Sequence, residues 1–248
     1  MEKSLNITAL VQARMGSSRL YGKVMKKVCG KSLIELLLKR LSKSKLIKKI
    51  IVITPKSNEN DILAKKVKSL GYDIFRGKEK DVLDRFYQAI KKDKPEIVIR
   101  ITGDCPLIDY RIVDKMIKLF KSKNYDYLSN NDPPTYPDGL DVEMFNFKSL
   151  DYAWKYATKK YDREHVTPFI KKTKKFKCKN IKHSKDYSDE RITLDEQEDF
   201  KLIKNIFQYF YPKIYFNWLE IINLKKKRPL WFKVNQNIER NEGSKKLN

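Results

Sequence analysis

Apolar residues along the first two-thirds of the chain fall into two alternating rhythms. Short β-branched runs at 6–12 (NITALVQ), 49–54 (KIIVIT), 72–77 (YDIFRG) and 96–104 (EIVIRITGD) predict strands. The second and fourth are nearly continuous apolar runs, as buried parallel strands are. Between them the period lengthens to that of a helix: KSLIELLLKRLSK opens with Ser32 and Glu35 at capping-box spacing, and DVLDRFYQAIKKD puts Val82, Phe86, Ala89 and Ile90 on one face. Strand–helix–strand repetition predicts an α/β fold, a mostly parallel sheet with helices on both faces.

Beyond residue 124 the rhythm loosens. The stretch YDYLSNNDPPTYPDGLDVEMF, with three prolines, predicts a long loop between two strands. Helices are expected at about 147–159 and 164–173, a strand pair near KFKCKNIKH and RITLD, and a helix at EQEDFKLIKNIFQYF. A terminal helix starts near FNWLEIINLKKK, and the polar tail NIERNEGSKKLN is expected to fray over its last five residues. The expected division is a main domain over 1–211 and a helical extension with polar tail over 212–248. No internal repeat is present.

Composition narrows the function classes. With 248 residues and 41% apolar content the chain can bury a sizeable core. No apolar run is long enough to span a bilayer, and MEKSLNITAL lacks the apolar core of a signal peptide, so a cytoplasmic location is expected. Cys29, Cys105 and Cys178 are far apart and without C-x-x-C spacing, which supports neither a disulfide framework nor a zinc site. The net charge of +24 comes mostly from lysines spread along the chain. It reads as a solvated basic surface that suits phosphate-bearing ligands, with a polyanion-binding face as the alternative. The run FQYFYPKIYFNW reads as core or as a homodimer interface; without an interleaved basic groove it does not read as a nucleic-acid stacking surface.

The most chemically loaded segment is VQARMGSSRLYGK, which directly follows the first strand. Loops at the carboxyl ends of parallel strands are where open α/β sheets bind ligands. Gly16, Ser17 and Ser18 let backbone amides curl round an anion, and Arg14, Arg19 and Lys23 supply the countercharge, unless they are merely a solvated turn. No G-x-G-x-x-G occurs here, and GKS at 30–32 lacks the upstream glycine of a Walker A loop, because that position is Met25. Asp104 ends the buried fourth strand, on the same rim, where it can hold a hard cation or cap the next helix; Asp109 already offers a cap for YRIVDKMIKLF.

QARMGSSRLYGKVM closely resembles the signature of the SpsF-type cytidylyltransferase family, among the CMP-sugar-synthetase-like nucleotidyltransferases. DVLDRFYQA, RITGDCPLID, TYPDGLDVE, REHVTPFI, TLDEQEDF and NIERNEG continue the resemblance in order over nearly the whole chain. Tyr21 departs from it, standing where the family usually has proline.

The resemblance implies a nucleotide-diphospho-sugar-transferase (GT-A/Rossmann-like) fold, CTP as substrate and Mg²⁺ as cofactor. It implies nucleotide contacts from Gln12, Ala13, Arg14, Gly16, Ser17, Ser18, Arg19, Lys23, Thr54, Arg76 and Gly103, with Arg14, Arg19, Lys23 and Asp104 catalytic. Asp195 matches a second metal-binding aspartate beside Asp104, its alternative being a helix cap. Asp138, Asp141 and Glu143, with Arg163, Glu164 and His165, are implied at the acceptor; loop stabilisation is the alternative for the first three and a packed or basic histidine for His165. Asp81 and Arg85 have the spacing of an ordinary i,i+4 salt bridge.

The expected reaction is transfer of CMP from CTP to an anionic acceptor (a phosphorylated metabolite, sugar phosphate or sugar acid) with release of pyrophosphate, for cell-surface polysaccharide synthesis. An ionised acceptor oxygen needs no general base, which suits a chain with two histidines. A glycosyltransferase of related fold using a nucleotide sugar, and a non-enzymatic polyanion- or RNA-binding protein, stay open at this level.

Overall fold

A computed structural model describes residues 5–240. The first strand, β1 (Ile7–Gln12), leads through the basic loop and a 3-10 turn into a small antiparallel hairpin, β2 (Lys27–Val28) and β3 (Lys31–Ser32), then α1 (Leu33–Leu41). Next come β4 (Lys49–Pro55), α2 (Asp61–Ser69), β5 (Asp73–Gly77), α3 (Val82–Ile90), β6 (Ile97–Thr102) and α4 (Tyr110–Lys123). The second half adds β7 (Tyr127–Ser129), β8 (Glu143–Phe145), α5 (Phe147–Tyr156), α6 (Lys160–His165), α7 (Pro168–Lys172) and β9 (Cys178–Asn180). Helices α8 (Gln197–Phe210), α9 (Trp218–Lys227) and α10 (Pro229–Lys233) follow.

Seven strands form one sheet in the order β5-β4-β1-β6-β8-β7-β9. β5, β4, β1 and β6 are mutually parallel; β8 is antiparallel to both β6 and β7, and β9 runs parallel to β7. Because strand side chains alternate, Ala9, Val11, Val52, Ile99 and Ile101 enter a core under α1, α2, α4, α8 and α9. Leu10, Ile51, Ile53 and Val98 enter a second core under α3, α5 and α7. The apolar runs are thus buried on both faces, and the parallel strands deliver Gln12, Pro55, Gly77 and Thr102 to one rim.

Several expectations need correcting. RITLD forms no strand: among the described residues it makes one isolated bridge, Arg191 to Asp138, and bends at Asp195, while KFKCKNIKH supplies β9 at the sheet edge beside β7. Ser32 caps α1 by accepting from the Glu35 amide, but the Glu35 carboxylate turns to Lys39 and Lys66 instead of closing a capping box. Asp81 and Arg85 do not pair; Asp81 caps α3 and binds Arg163, while Arg85 donates to the Lys78 carbonyl. The expected helix over 147–159 ends at Tyr156, and that over 164–173 divides into α6 and α7. Asp109 caps α4 as expected. The tail expected to fray lies outside the described residues, as does part of NIERNEG.

Residues beyond 211 enter the same core through Phe216, Trp218, Ile221 and Phe232. Fully buried Arg40 fastens them by donating to the carbonyls of Leu107, Ile108, Ile214 and Phe216. Burial lowers its pKa to about 10. Among the described residues no helix is long and apolar enough to cross a membrane.

Candidate active site

The loop after β1 is folded back on the rim by its backbone. The Ala13 amide donates to the Ile53 carbonyl (3.1 Å), the Gly22 amide to the Met15 carbonyl (2.9 Å), and the Met15 amide to the side chain of buried Asn60 (2.8 Å). Gly103, at the end of β6, lies against this loop: its amide donates to Gln12 O, and a Cβ there would stand 2.9 Å from Ala13 Cβ. Glycine is what lets the two strand ends meet.

Together they floor a cleft of about 700 Å³. Gln12, Ala13, Arg14, Gly16, Ser17, Ser18, Arg19, Lys23, Gly103, Asp104 and Asp195 line it, as do Glu164 and His165 from α6. At its centre the Lys23 ammonium lies 2.8 Å from Asp195 and 3.6 Å from Asp104, and it also donates to the Leu194 carbonyl (2.8 Å). Arg19 reaches Asp195 (3.0 Å) and Glu196 (3.5 Å). Burial would lower the Lys23 pKa, but Asp104 and Asp195 outweigh it and raise the value. Burial likewise pushes Asp195 up, and Lys23, Arg19 and Arg191 overcome it, holding the carboxyl below the usual range. Both groups are therefore charged at neutral pH.

Asp104 and Asp195 face a common point, at which an ammonium group already sits. Two carboxylate oxygens are the kind of donor a hard divalent cation takes. Among the described residues no three His, Cys, Asp or Glu side chains form a metal cluster, so the remaining ligands would be phosphate oxygens and water, the arrangement Mg²⁺ favours.

Other implied residues are engaged away from the cleft. Thr54 is buried in the sheet, and Arg76 holds Asp61 (2.7 Å) and the carbonyls of Lys56 and Ser57. Asp138 pairs with Arg191 (2.9 Å) and Asp141 with Arg240; burial raises their pKa values to about 6 and about 7. Arg163 holds Asp81 and the Trp154 and Ala157 carbonyls.

Glu143 is buried, paired with Arg100 and accepting from Tyr127 and Thr167, each at 2.6 Å. Burial pushes its pKa up, but Arg100 and the two hydroxyls hold it below the ordinary value. A folded value below the unfolded one means stability present above the unfolded pKa, near ~4.3, and lost as pH falls through the folded one. Glu143→Gln is expected to cost about 3 kcal/mol at pH 7 by leaving Arg100 uncompensated, with the deficit shrinking below about pH 4. Urea unfolding of both proteins across pH 3.5–7.5 checks it; a pH-independent deficit would refute the ionic assignment.

The cleft also contains residues that the sequence reading left out: Arg100, Thr102, Lys80 and Lys160, with Arg85, which was read only as half of an ion pair. Arg100 carries a visible signal, a cation inside an apolar strand between Ile99 and Ile101. Arg85 is buried, and burial, reinforced by the charge of Arg14, lowers its pKa to about 10. Two guanidiniums opposing each other at a cleft wall suit an anionic ligand. His165 is half-buried; burial chiefly lowers its pKa, so its imidazole is neutral at neutral pH.

Residues 8–228 match the family model described as Cytidylyltransferase. The chain belongs to the cytidylyltransferase family. It is 38% identical over 237 residues to an uncharacterized protein of Methanocaldococcus jannaschii, covering 94% of this chain and 96% of that one. It is 30% identical over 234 residues to the spore coat polysaccharide biosynthesis protein SpsF of Bacillus subtilis, covering 90% and 95%. The structure of a cytidylyltransferase from Leptospira borgpetersenii superposes with a TM-score of 0.88 at 32% identity, over 96% of this chain and all of that one (100%). This cytidylyltransferase is accordingly a CTP-dependent nucleotidyltransferase with the nucleotide-diphospho-sugar-transferase fold. The non-enzymatic reading of its charge falls away.

Proposed function

We propose that this enzyme transfers CMP from CTP to an anionic small acceptor, with Mg²⁺ and release of pyrophosphate, in the synthesis of a surface polysaccharide. The observation that carries this reading is the meeting of the basic loop with two carboxylates at Lys23. The acceptor oxygen attacks the α-phosphorus, the bond to the β-phosphate oxygen breaks, and pyrophosphate leaves with the electron pair. Loop amides near Gly16 to Ser18, together with Arg14, Arg19 and Lys23, hold the β and γ phosphates and neutralise charge growing on the leaving group. Asp104 and Asp195 hold Mg²⁺, which when bound supplies Lewis-acid polarisation of the phosphate oxygens. With Asp138, Asp141, Arg163 and the Glu143–Arg100 pair committed internally, acceptor recognition falls to Lys160, Glu164 and His165 on the cleft wall.

Beyond the opening loop the cleft is lined by Lys80, Arg85 and Lys160, and by Arg100, whose charge Glu143 balances, against the carboxylates Glu79 and Glu164; the remaining positive excess favours an acceptor that brings its own negative charge. Such an oxygen is ionised already, so His165 serves as a hydrogen-bonding group. A phosphate ester should be turned over at least about 10²-fold faster than its dephosphorylated alcohol, the rate a positioned base would otherwise have to supply. Lys160→Ala should raise the acceptor KM with little change in that for CTP. Equal turnover of the alcohol, with a histidine-like pH profile that His165→Ala abolishes, would instead make His165 a general base.

A further inference from the structure

Asp195 sits on the turn before α8: one carboxylate oxygen faces Lys23 and Arg19, and the other lies 3.6 Å from Arg191. Its position is set from behind. Asp199, fully buried in the first turn of α8, accepts from the amides of Asp195 (2.8 Å) and Glu196 (2.9 Å), which fixes the turn. The same carboxylate takes both arms of the Arg191 guanidinium, at 2.9 and 2.8 Å. The third nitrogen of Arg191 holds Asp138, 2.9 Å away in the 130–142 loop.

One further donor completes the set. Asn235, two residues beyond α10 and buried, donates to the Asp199 oxygen that also accepts from Arg191 Nε (2.8 Å) and to the Arg191 carbonyl (3.3 Å). It lies outside the cleft, more than 30 residues along the chain from Asp199. Asp199 therefore receives five donors, two of them the backbone amides that carry Asp195 and its neighbour. Without Asn235 that oxygen keeps Arg191 Nε alone and the Arg191 carbonyl loses a donor, which weakens the seat of the buried Arg191–Asp199 pair and, through the two amides Asp199 accepts, of the turn that carries Asp195.

We propose that Asn235 and Arg191 are positioning residues for Asp195, so that the segment after α10 sets the cation-binding geometry of the transfer site without touching substrate. The guanidinium is also the junction through which the 130–142 loop, by Asp138, and the C-terminal segment, by Asn235, act on one carboxylate. A purely structural pair would lower stability and leave metal binding alone, whereas a positioning pair weakens metal binding in a protein that still folds.

The inference rests on the proposed role of Asp195 as a metal ligand, and the test separates the two. CTP affinity is measured by calorimetry in EDTA and again in saturating Mg²⁺, and the ratio gives the gain due to the metal. Asn235→Ala should lose at least tenfold of that gain, keep its affinity in EDTA, keep its circular dichroism spectrum, and lower kcat more than it raises the CTP KM. Asn235→Gln should recover part of the gain. If Asn235→Ala does not fold, Asn235→Ser and Arg191→Lys carry the same comparison. An unchanged gain in folded variants, with only the melting temperature lowered, overturns the positioning role while Asp195→Asn still loses the gain. If Asp195→Asn also keeps the full gain, the metal assignment itself falls, and the positioning role with it.

Discussion

An Asp104→Asn enzyme is expected to lose at least about 10³-fold in kcat/KM while folding normally. Asp104 is partly exposed at the end of β6, accepting from the Thr102 hydroxyl, with the Lys23 ammonium 3.6 Å away. The amide keeps the shape and the acceptor for Thr102 but removes the charge that would hold a cation against the α-phosphate. No helix depends on it, since α4 takes its cap from Asp109 and the segment 193–194 bonds to the Asp104 backbone carbonyl, not its side chain. The melting temperature should therefore stay within a few degrees. A variant that melts far lower with near-normal turnover per folded molecule would make Asp104 a structural residue.

The second large effect lies in a residue that touches no ligand. Gly139 has φ +105°, and an added Cβ would stand 2.6 Å from the Thr193 amide nitrogen and 2.7 Å from the Ile192 carbonyl carbon. Both obstacles are backbone, so neither can swing aside. The contact is the seam where the Asp138 carbonyl accepts from the Ile192 amide (2.8 Å), next to Leu194 bonding back to Asp104 (2.8 Å). Separating it moves Asp195 as well as the loop. Gly139→Ala should cost about 4 kcal/mol or more, a fall of roughly 8–16 °C in Tm for a chain of this size. Thermal unfolding followed by circular dichroism measures it. A loss below about 1 kcal/mol would mean that the loop can leave this seam at little cost.

What the sequence made legible follows from which interactions are local. The four parallel strands and α1, α3, α4 and α8 were readable because period-2 and period-3.6 burial leaves its mark within ten residues. That the loop after β1 lines the cleft was readable because its charges and glycines are contiguous. RITLD was misread as a strand since its composition is that of one, but its only strand-like partner, Asp138, lies 53 residues away and pairs at a single point. The partners of the 138–143 carboxylates were the least legible. Asp138, Asp141 and Glu143 look like cleft carboxylates in isolation, and only the fold reveals Arg191, Arg240 and Arg100 as their partners. Lys160 gave no signal among 55 cations, and its place in the cleft comes from α6 packing on α3 through Arg163 and Asp81.

The cleft is proposed to accept a cytidine triphosphate and to expel pyrophosphate when an anionic acceptor is supplied. The most direct measurement is pyrophosphate release by the purified protein with CTP, UTP, ATP and GTP, each with Mg²⁺ and a panel of phosphorylated and carboxylated acceptors. The expected result is release with CTP that requires both an acceptor and Mg²⁺, vanishes in Asp104→Asn, and exceeds that with the other nucleotides. Consumption of a nucleotide sugar with no pyrophosphate formed from any triphosphate would contradict the account.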